Sequence, residues 1–166
     1  MKILVIADTH MPKKSRELPT ELIKELQNTD YTLHLGDWQN MDTYIQFKNF
    51  APIDGVAGNL DDEGIINLFG FKKILEFHGI RIGLVHGHLG KGRSTEARAL
   101  NSFTDEQVDI ILFGHSHIPI LKQVNAITLF NPGSPTDKRR QDAFSFGVIN
   151  IAETLSIHHV FFENNR

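Results

Sequence analysis

Histidine, aspartate and asparagine side chains recur at five places in the sequence, each directly after a short run of aliphatic residues. The last of these places is the stretch Gly114-His115-Ser116-His117, which follows an isoleucine-rich segment. The full set is Asp8, His10, Asp37, Asn59, His86, His88, His115 and His117. Imidazole, carboxylate and carboxamide groups without sulfur suit manganese, iron, zinc, nickel or cobalt better than copper(I) or calcium.

The number of these donors indicates more than one metal ion. Asp37 or Asn59 alone could be an ordinary turn residue, and any single histidine could be structural. Five clusters together are harder to explain in this way, because burying many unpaired titratable groups is costly. Two ions that share a carboxylate, typically ~3.5–4 Å apart, would use seven donors. These are Asp8, His10, Asp37, Asn59, His86, His115 and His117.

Two of the clusters contain donors two positions apart. Asp8 and His10 are separated by one threonine, and His115 and His117 by one serine. In an extended segment, side chains at this spacing point to the same side. The spacing therefore predicts extended segments that present both members of each pair to a common site.

The elements that must position these residues begin with alternating strand and helix patterns. Strands are predicted at residues 3–7, 31–35 and 53–57, and helices at residues 16–28 and 41–50. This β-α-β-α-β order predicts parallel strands with the helices outside the sheet. The polar clusters then lie at the carboxyl ends of the strands, where open α/β sheets bind their ligands.

The second half of the chain has the pattern of antiparallel pairs. Hairpin turns are predicted around His78-Gly79, Asn125-Ala126 and Glu153-Thr154, and a helix at residues 94–103. No linker, repeat or low-complexity segment separates the two halves. We therefore expect a single domain over residues 1–166 with one shared core.

Composition excludes several classes of protein. The 166 residues include no cysteine, which excludes disulfides and thiolate metal sites, and the formal net charge of −3 gives no extended nucleic-acid surface. No stretch approaches the ~18 apolar residues of a membrane helix, so a cytoplasmic protein is expected. The apolar residues 160–162 could pack in the core or cover a partner, which leaves a homo-oligomer open.

Taken together, the clusters resemble the calcineurin-like metallophosphoesterase superfamily, in particular its small single-domain phosphodiesterases of bacteria and archaea. The resemblance covers nearly the whole chain, and the stretch Phe-Asn-Pro-Gly-Ser at residues 130–134 also follows the last cluster. The matching blocks stand in the family's order: Asp8-Thr9-His10, Gly36-Asp37, Gly58-Asn59-Leu60-Asp61, Val85-His86-Gly87-His88 and Gly114-His115-Ser116-His117.

The resemblance implies an α/β fold, a four-layer α/β/β/α sandwich of mixed sheets with the metal site at the carboxyl ends of strands. It also implies two divalent ions, with manganese expected and nickel, iron, zinc or cobalt as alternatives. One ion would be held by Asp8, His10 and His117. The other would be held by Asn59, His86 and His115, with Asp37 bridging the two ions.

The activity implied is that of a metal-dependent phosphodiesterase acting on a small phosphodiester or nucleotide-like substrate. A hydroxide that bridges the two ions would attack phosphorus in line. Two alternatives remain open. One is a phosphomonoesterase or pyrophosphatase that uses the same site, and the other is a non-catalytic binding scaffold with the same fold.

The sequence departs from the family pattern at Leu60. Many members have a histidine there that assists the leaving group, and leucine cannot donate a proton, so good leaving groups should be favoured. His88 is the candidate for a replacement acid or for a phosphate contact, with a hydrogen-bonding role behind the ligands equally open. Asn59 and His88 are the candidates for substrate binding, and Asn131 and the backbone around Gly133-Ser134 for lining the cleft.

Overall fold

The computed structural model describes residues 1–163 of the chain, which form ten strands and four helices. The strands are β1 (Lys2–Ile6), β2 (Tyr31–His34), β3 (Ile53–Gly55), β4 (Lys72–Phe77), β5 (Ile80–Val85), β6 (Ile110–Leu112), β7 (Ile120–Val124), β8 (Ile127–Asn131), β9 (Phe144–Ile151) and β10 (Leu155–Phe162). The helices are α1 (Thr20–Leu26), α2 (Met41–Lys48), α3 (Glu63–Phe69) and α4 (Thr95–Asn101).

The strands form two five-stranded mixed sheets. The first has the order β10-β9-β1-β2-β3, in which β1, β2 and β3 are parallel and β9 and β10 complete it with antiparallel pairs. The second has the order β4-β5-β6-β8-β7, in which β5, β6 and β8 are parallel and β4 and β7 form hairpins at the edges. The parallel order of β1 to β3 and all three hairpins confirm the sequence-based prediction.

Alternation along the central strands explains why the two sheets pack face to face. Ile3 and Val5 belong to the core between the sheets, together with Leu84 and other residues of the second sheet. Leu4 and Ile6 point the other way and pack under the first three helices. A third cluster joins α4 to the outer face of the second sheet. The predicted four-layer α/β/β/α sandwich is therefore confirmed.

Two helices differ from the prediction. Helix α1 begins at Thr20 rather than at residue 16, because Pro19 is its N-cap residue with φ −57° and ψ 143°. Helix α3 was not predicted, since seven residues are too short to show a clear helical period. The Asp62 side chain accepts a hydrogen bond from the Ile65 N–H at 2.9 Å and caps this helix. Aspartate is a favoured N-cap residue, so Asp62 was the feature of the sequence that could have indicated the start of this helix.

Two aromatic residues close to the predicted site belong to the core. His34 is fully buried, and its ring stacks on that of Trp38 at a centroid distance of 3.8 Å. Trp38 is also fully buried and donates its indole N–H to the Val56 carbonyl at 3.0 Å. Trp38 therefore packs in the core.

Two further expectations concern the apolar residues 160–162 and helices that could span a membrane. Phe162 is buried while Phe161 is 58% exposed, so the apolar segment near the end packs only in part. Within residues 1–163, the longest helix has eight residues and none could cross a bilayer.

Candidate metal centre

The loops after β1, β2, β5 and β6 bring six of the seven predicted donors to one place between the sheets. β1 and β2 are neighbours in the first sheet, and β5 and β6 are neighbours in the second. Because each pair is parallel, its carboxyl ends lie at the same edge of the sheet. The side chains form two groups that could each hold an ion: Asp8, His10 and His117 in the first, and Asp37, His86 and His115 in the second.

The donor atoms within these groups lie at short distances from one another. The His117 Nε2 atom is 3.5 Å from Asp8 Oδ1 and 3.2 Å from His10 Nε2. In the second group, the Asp37 Oδ2 atom is 3.4 Å from His86 Nε2. The same oxygen is also 3.6 Å from His10 Nε2 in the first group. Asp37 therefore faces both groups, as a bridging carboxylate must.

These distances and the state of the donor atoms fit divalent ions. Bonds of ~2.0–2.2 Å place donors on adjacent coordination positions about 3.0–3.6 Å apart, which is close to the observed spacing. The Asp8 Oδ1 and His86 Nε2 atoms are buried and have no hydrogen-bond partner. Leaving such atoms unpaired is costly, and a bound cation would satisfy both. The residues therefore fit the group that the sequence predicts, while their assignment as ligands stays a prediction.

Backbone amides orient the two carboxylates. The His115 N–H donates to Asp8 Oδ2 at 2.8 Å, which leaves Oδ1 facing the histidines. In the same way, the Leu60 N–H donates to Asp37 Oδ1 at 2.9 Å and leaves Oδ2 for the centre. Each aspartate thus has one oxygen fixed by the protein and one available to an ion.

Backbone carbonyls orient two of the imidazoles. The Nδ1 atom of His86 lies 2.7 Å from the Leu35 carbonyl oxygen, and that of His117 lies 2.5 Å from the Asp137 carbonyl oxygen. A carbonyl can only accept, so Nδ1 carries the proton in both rings. The lone pair on each Nε2 atom is therefore directed toward the centre, which is the arrangement metal-binding histidines need.

The backbone at the donors is left-handed rather than extended. The φ angles are +56° at Asp8, +47° at His10, +58° at Asp37, +68° at His115 and +60° at His117. The prediction of extended segments at the two donor pairs is therefore wrong. Such conformations cost ~1–3 kcal/mol each and concentrate at functional sites, where the surrounding structure enforces them. Here they allow His115 and His117 to serve different groups although one residue separates them.

Burial and neighbouring charges set the protonation of the donors. Burial raises the pKa of Asp8 to about 7 and lowers the pKa values of His115 and His117 to about 4. Although burial opposes it, the neighbouring His86 ring and the hydrogen bond from the Leu60 amide hold the pKa of Asp37 well below its usual value. At neutral pH, His115 and His117 are therefore neutral and Asp37 is ionised, as metal binding requires. Metal ions must compete with a proton at Asp8 and also at His86, where, against the effect of burial, the Asp37 and Asp8 carboxylates raise the pKa of the imidazole.

The remaining predicted residues lie at the margin of the two groups. Asn59 is exposed, next to the Leu60 amide that holds Asp37. His88 is half-buried, with its ring centroid 5.2 Å from that of His86. Burial lowers the pKa of His88 to about 4, so its imidazole is neutral near pH 7. A neutral imidazole is a poor general acid, which favours a phosphate contact over the acid role for His88.

Two residues expected in the cleft instead support it from behind. Asn131 is fully buried and donates from Nδ2 to the Gly114 carbonyl at 3.0 Å. Ser134 is also buried and donates from Oγ to the Asp8 carbonyl at 2.8 Å. Both side chains satisfy carbonyls of the donor loops. They therefore help to maintain the backbone conformation that the donors require.

Asp61 was not predicted to have a role at the site, yet it joins two of the donor loops. Its Oδ2 atom accepts from the N–H groups of Gly58 at 2.6 Å and Asp37 at 3.0 Å. Its Oδ1 atom accepts from the Gln39 N–H at 2.7 Å. The residue is the last of the Gly58-Asn59-Leu60-Asp61 block, but nothing in the sequence shows which amides it meets.

We expect the substitution Asp61→Ala to weaken metal binding by ~10–100-fold, the usual effect of losing a group that orients a ligand. It should also lower the free energy of unfolding by about 3 kcal/mol, since each buried donor left without an acceptor costs ~1–3 kcal/mol. Metal titration by calorimetry and urea denaturation would measure the two effects. The matched control is Asp62→Ala, which removes only the cap of α3 and should cost ~1 kcal/mol. Equal metal affinity in the two variants would contradict a positioning role for Asp61.

Comparison with known proteins gives consistent results for this arrangement. A family model described as a calcineurin-like phosphoesterase superfamily domain matches residues 1–154. A probable metallophosphoesterase of Methanocaldococcus jannaschii is 35% identical over 139 residues, which cover 84% of this chain and 70% of that protein. Phosphodiesterase YfcE of Escherichia coli strain K12 is 26% identical over 169 residues, covering 90% and 88% of the two chains. In fold, the chain is similar to Vps29 of Chaetomium thermophilum, with a TM-score of 0.81, 20% identity and 99% of both chains covered.

Proposed function

The chain belongs to the calcineurin-like phosphoesterase superfamily, and on this basis we propose that it is a metal-dependent phosphodiesterase acting on a small phosphodiester or nucleotide-like substrate. Its relatives are named as metallophosphoesterases or as phosphodiesterase YfcE, which supports a hydrolase of phosphoric esters. The observation that carries the proposal is the pair of aspartate–histidine groups with Asp37 facing both.

Two divalent ions, when bound, would acidify a water molecule for in-line attack on phosphorus and would neutralise the phosphoryl oxygens. In the proposal, one ion is held by Asp8, His10 and His117 and the other by Asn59, His86 and His115, with Asp37 shared. Manganese is the expected metal. The chain itself supplies position and charge, because phosphoryl transfer needs little covalent chemistry from the protein.

The charges around the centre favour a diester over a monoester. A monoester carries an additional negative charge, and its recognition needs additional free cations. Arg98 is held against the loop of His86 and His88, since its Nε atom donates to the Gly87 carbonyl at 2.8 Å. Arg139 is exposed on the side of His10 and His117, where its charge adds to burial in lowering the pKa values of both histidines. One arginine is a better match for the single charge of a diester.

The first experiment compares bis(p-nitrophenyl) phosphate with p-nitrophenyl phosphate as substrates. Metal-stripped protein is refilled separately with manganese, nickel, zinc and magnesium, and Asp37→Ala serves as the control. We expect metal-restored hydrolysis that favours the diester and falls at least ~100-fold in the variant, the scale of losing one electrostatic stabilising group. A preference for the monoester would instead support the phosphomonoesterase alternative. No hydrolysis by folded protein that holds two ions would support the scaffold.

We further expect the rate of hydrolysis to depend steeply on the leaving group, because Leu60 cannot protonate it. Leu60 is 52% exposed, so its side chain is accessible beside the Asp37 loop. A series of aryl phosphodiesters graded in leaving-group pKa would measure the slope. The variant Leu60→His restores a proton donor and should raise the rate on poor leaving groups at least ~10-fold, since general acids contribute ~10²–10⁴-fold. A flat dependence in the unmodified protein, with chemistry rate-limiting, would contradict the prediction.

A further inference from the structure

A cavity of about 240 Å³ lies beside the metal centre, between the beginning of β4 and the end of β5. Its apolar lining comes from Phe71, Val85 and Leu89, and its polar lining includes Lys72, His86 and His88. Phe71 connects α3 to β4, whereas Leu89 follows directly on the predicted donor loop of β5. One side of the cavity is therefore built by the segment that carries His86.

The cavity and the centre share a wall. His86 lines the cavity and also belongs to the donor group with Asp37 and His115. The next ring outward is that of His88, 5.2 Å from His86 between centroids, and the Phe71 ring is 5.5 Å beyond it. A substituent esterified to a phosphate at the centre would thus lie close enough to reach the cavity.

Two of the three apolar side chains of the cavity are open to solvent, while Val85 is buried. Phe71 is 37% exposed and Leu89 is 53% exposed, although both are large hydrophobic residues. The Phe71 ring meets the His88 ring edge to face, at an interplanar angle of 68°. Covering such surface with an apolar group is favourable, and aromatic faces favour a planar ring as the group that covers them.

The charges of the cavity argue against a second phosphate as its occupant. Lys72 Nζ lies 2.7 Å from Glu106 Oε1, so its charge is balanced within the protein. Among the described residues that line the cavity, Lys72 is the one lysine or arginine, and its pairing with Glu106 favours a neutral group as the occupant.

We propose that this cavity binds a neutral, planar aromatic group carried by the substrate, esterified to the phosphate directly or through a short linker. An aryl group and a nucleobase share this chemistry. The volume is below the ~300–1,000 Å³ of pockets that enclose a whole drug-sized ligand, so it suits one ring system rather than an entire second nucleotide. The inference rests on the proposed phosphodiesterase function and specifies the substrate class of that site.

Binding of product-like monoesters to the manganese-loaded protein tests this inference without relying on turnover. Phenyl phosphate, uridine 5′-monophosphate and methyl phosphate carry similar charge on phosphorus and differ in the attached group. Calorimetry should show at least ~10-fold tighter binding of one or both ring-bearing esters than of methyl phosphate, from the apolar surface that the ring covers. Tighter binding of phenyl phosphate would identify an aryl group, and tighter binding of the nucleotide would identify a nucleobase.

Variants of the cavity provide the matched controls. Phe71→Ala and, independently, Leu89→Ser should each reduce the advantage of the ring-bearing ester to below ~3-fold, because each removes part of the apolar wall. Neither should change the affinity for methyl phosphate. Phe161→Ala removes an exposed aromatic ring from β10, outside the cavity, and should retain the full advantage.

Equal affinity for all three esters would overturn the inference while leaving the phosphoester site intact. The inference would also be overturned if Phe161→Ala lost the tighter binding of ring-bearing esters. That binding would then not depend on the cavity. Absence of binding by any ester, together with absence of diester hydrolysis in protein that holds two ions, would overturn both this inference and the proposed function.

Discussion

Replacing Gly58 with alanine is expected to disrupt the metal centre while most of the fold remains in place. A Cβ atom at this position would lie 2.2 Å from Asp37 Oδ1 and 2.5 Å from the Asp37 backbone nitrogen. Both distances are far below van der Waals contact, and both atoms belong to Asp37, whose carboxylate faces both donor groups. The loop or the carboxylate must therefore move.

The displacement should affect metal binding more than stability. The Asp37 carboxylate would lose its hydrogen bond from the Leu60 N–H and its alignment with His10 and His86. We expect fewer than two ions per chain by elemental analysis and at least a ~100-fold loss in kcat/KM on bis(p-nitrophenyl) phosphate. The free energy of unfolding of the metal-free protein should fall by only ~1–3 kcal/mol, the range for overpacking.

Gly79→Ala is the matched control for Gly58→Ala. Gly79 lies in the β4–β5 hairpin with φ +81°, and a Cβ atom there would meet no atom within 4 Å. Alanine at this position should cost ~1–2 kcal/mol through backbone strain alone and leave two bound ions and full activity. If Gly58→Ala also retained two ions and full activity, Asp37 could not require the position that the structure gives it.

The parts of the fold that could be predicted from sequence are those with local causes. Short β-branched segments and turn signals predict the parallel strands β1, β2 and β3 and the three hairpins, because each signal acts within a few residues. The positions of the donors followed from the same reasoning, since the carboxyl ends of parallel strands must meet. Helix α3 escaped detection because its stability comes from packing Ile65 and Phe69 against the first sheet, which a seven-residue pattern cannot show.

The parts of the site that could not be predicted depend on contacts between distant segments. The left-handed backbone at Asp8 is maintained by hydrogen bonds from the His115 amide and the Ser134 hydroxyl, which are more than 100 residues away in the chain. Asp61 likewise accepts from two amides of another loop, since Asp37 and Gln39 follow β2 whereas Asp61 follows β3. Residue types and spacing therefore predict which side chains could bind metal, but they do not predict the backbone conformation that directs them.

The strongest test of that backbone conformation concerns His115 and His117. These residues are expected to hold different ions although only one residue separates them. His117→Ala removes a donor from the group of Asp8 and His10, whereas His115→Ala removes one from the group of Asp37 and His86. Each variant should therefore retain one ion, and the double variant none. The His115 amide that holds Asp8 is unchanged in alanine, so His115→Ala should spare the first group.

Elemental analysis and diester kinetics would measure both consequences. Each single variant should lose at least ~100-fold in kcat/KM, because removing even one electrostatic stabilising group costs ~10²–10³-fold. His158→Ala is the matched control, since this histidine is exposed on β10 and should be replaceable without loss of metal or activity. If both single variants lost the same ion, or if either kept two ions, the pair would not divide between two sites.

Because His115 and His117 both have positive φ, a return to extended backbone in either variant would turn the remaining side chain away from its group. Retention of one ion in each variant would therefore show that the loop holds its conformation without the metal bond it has lost.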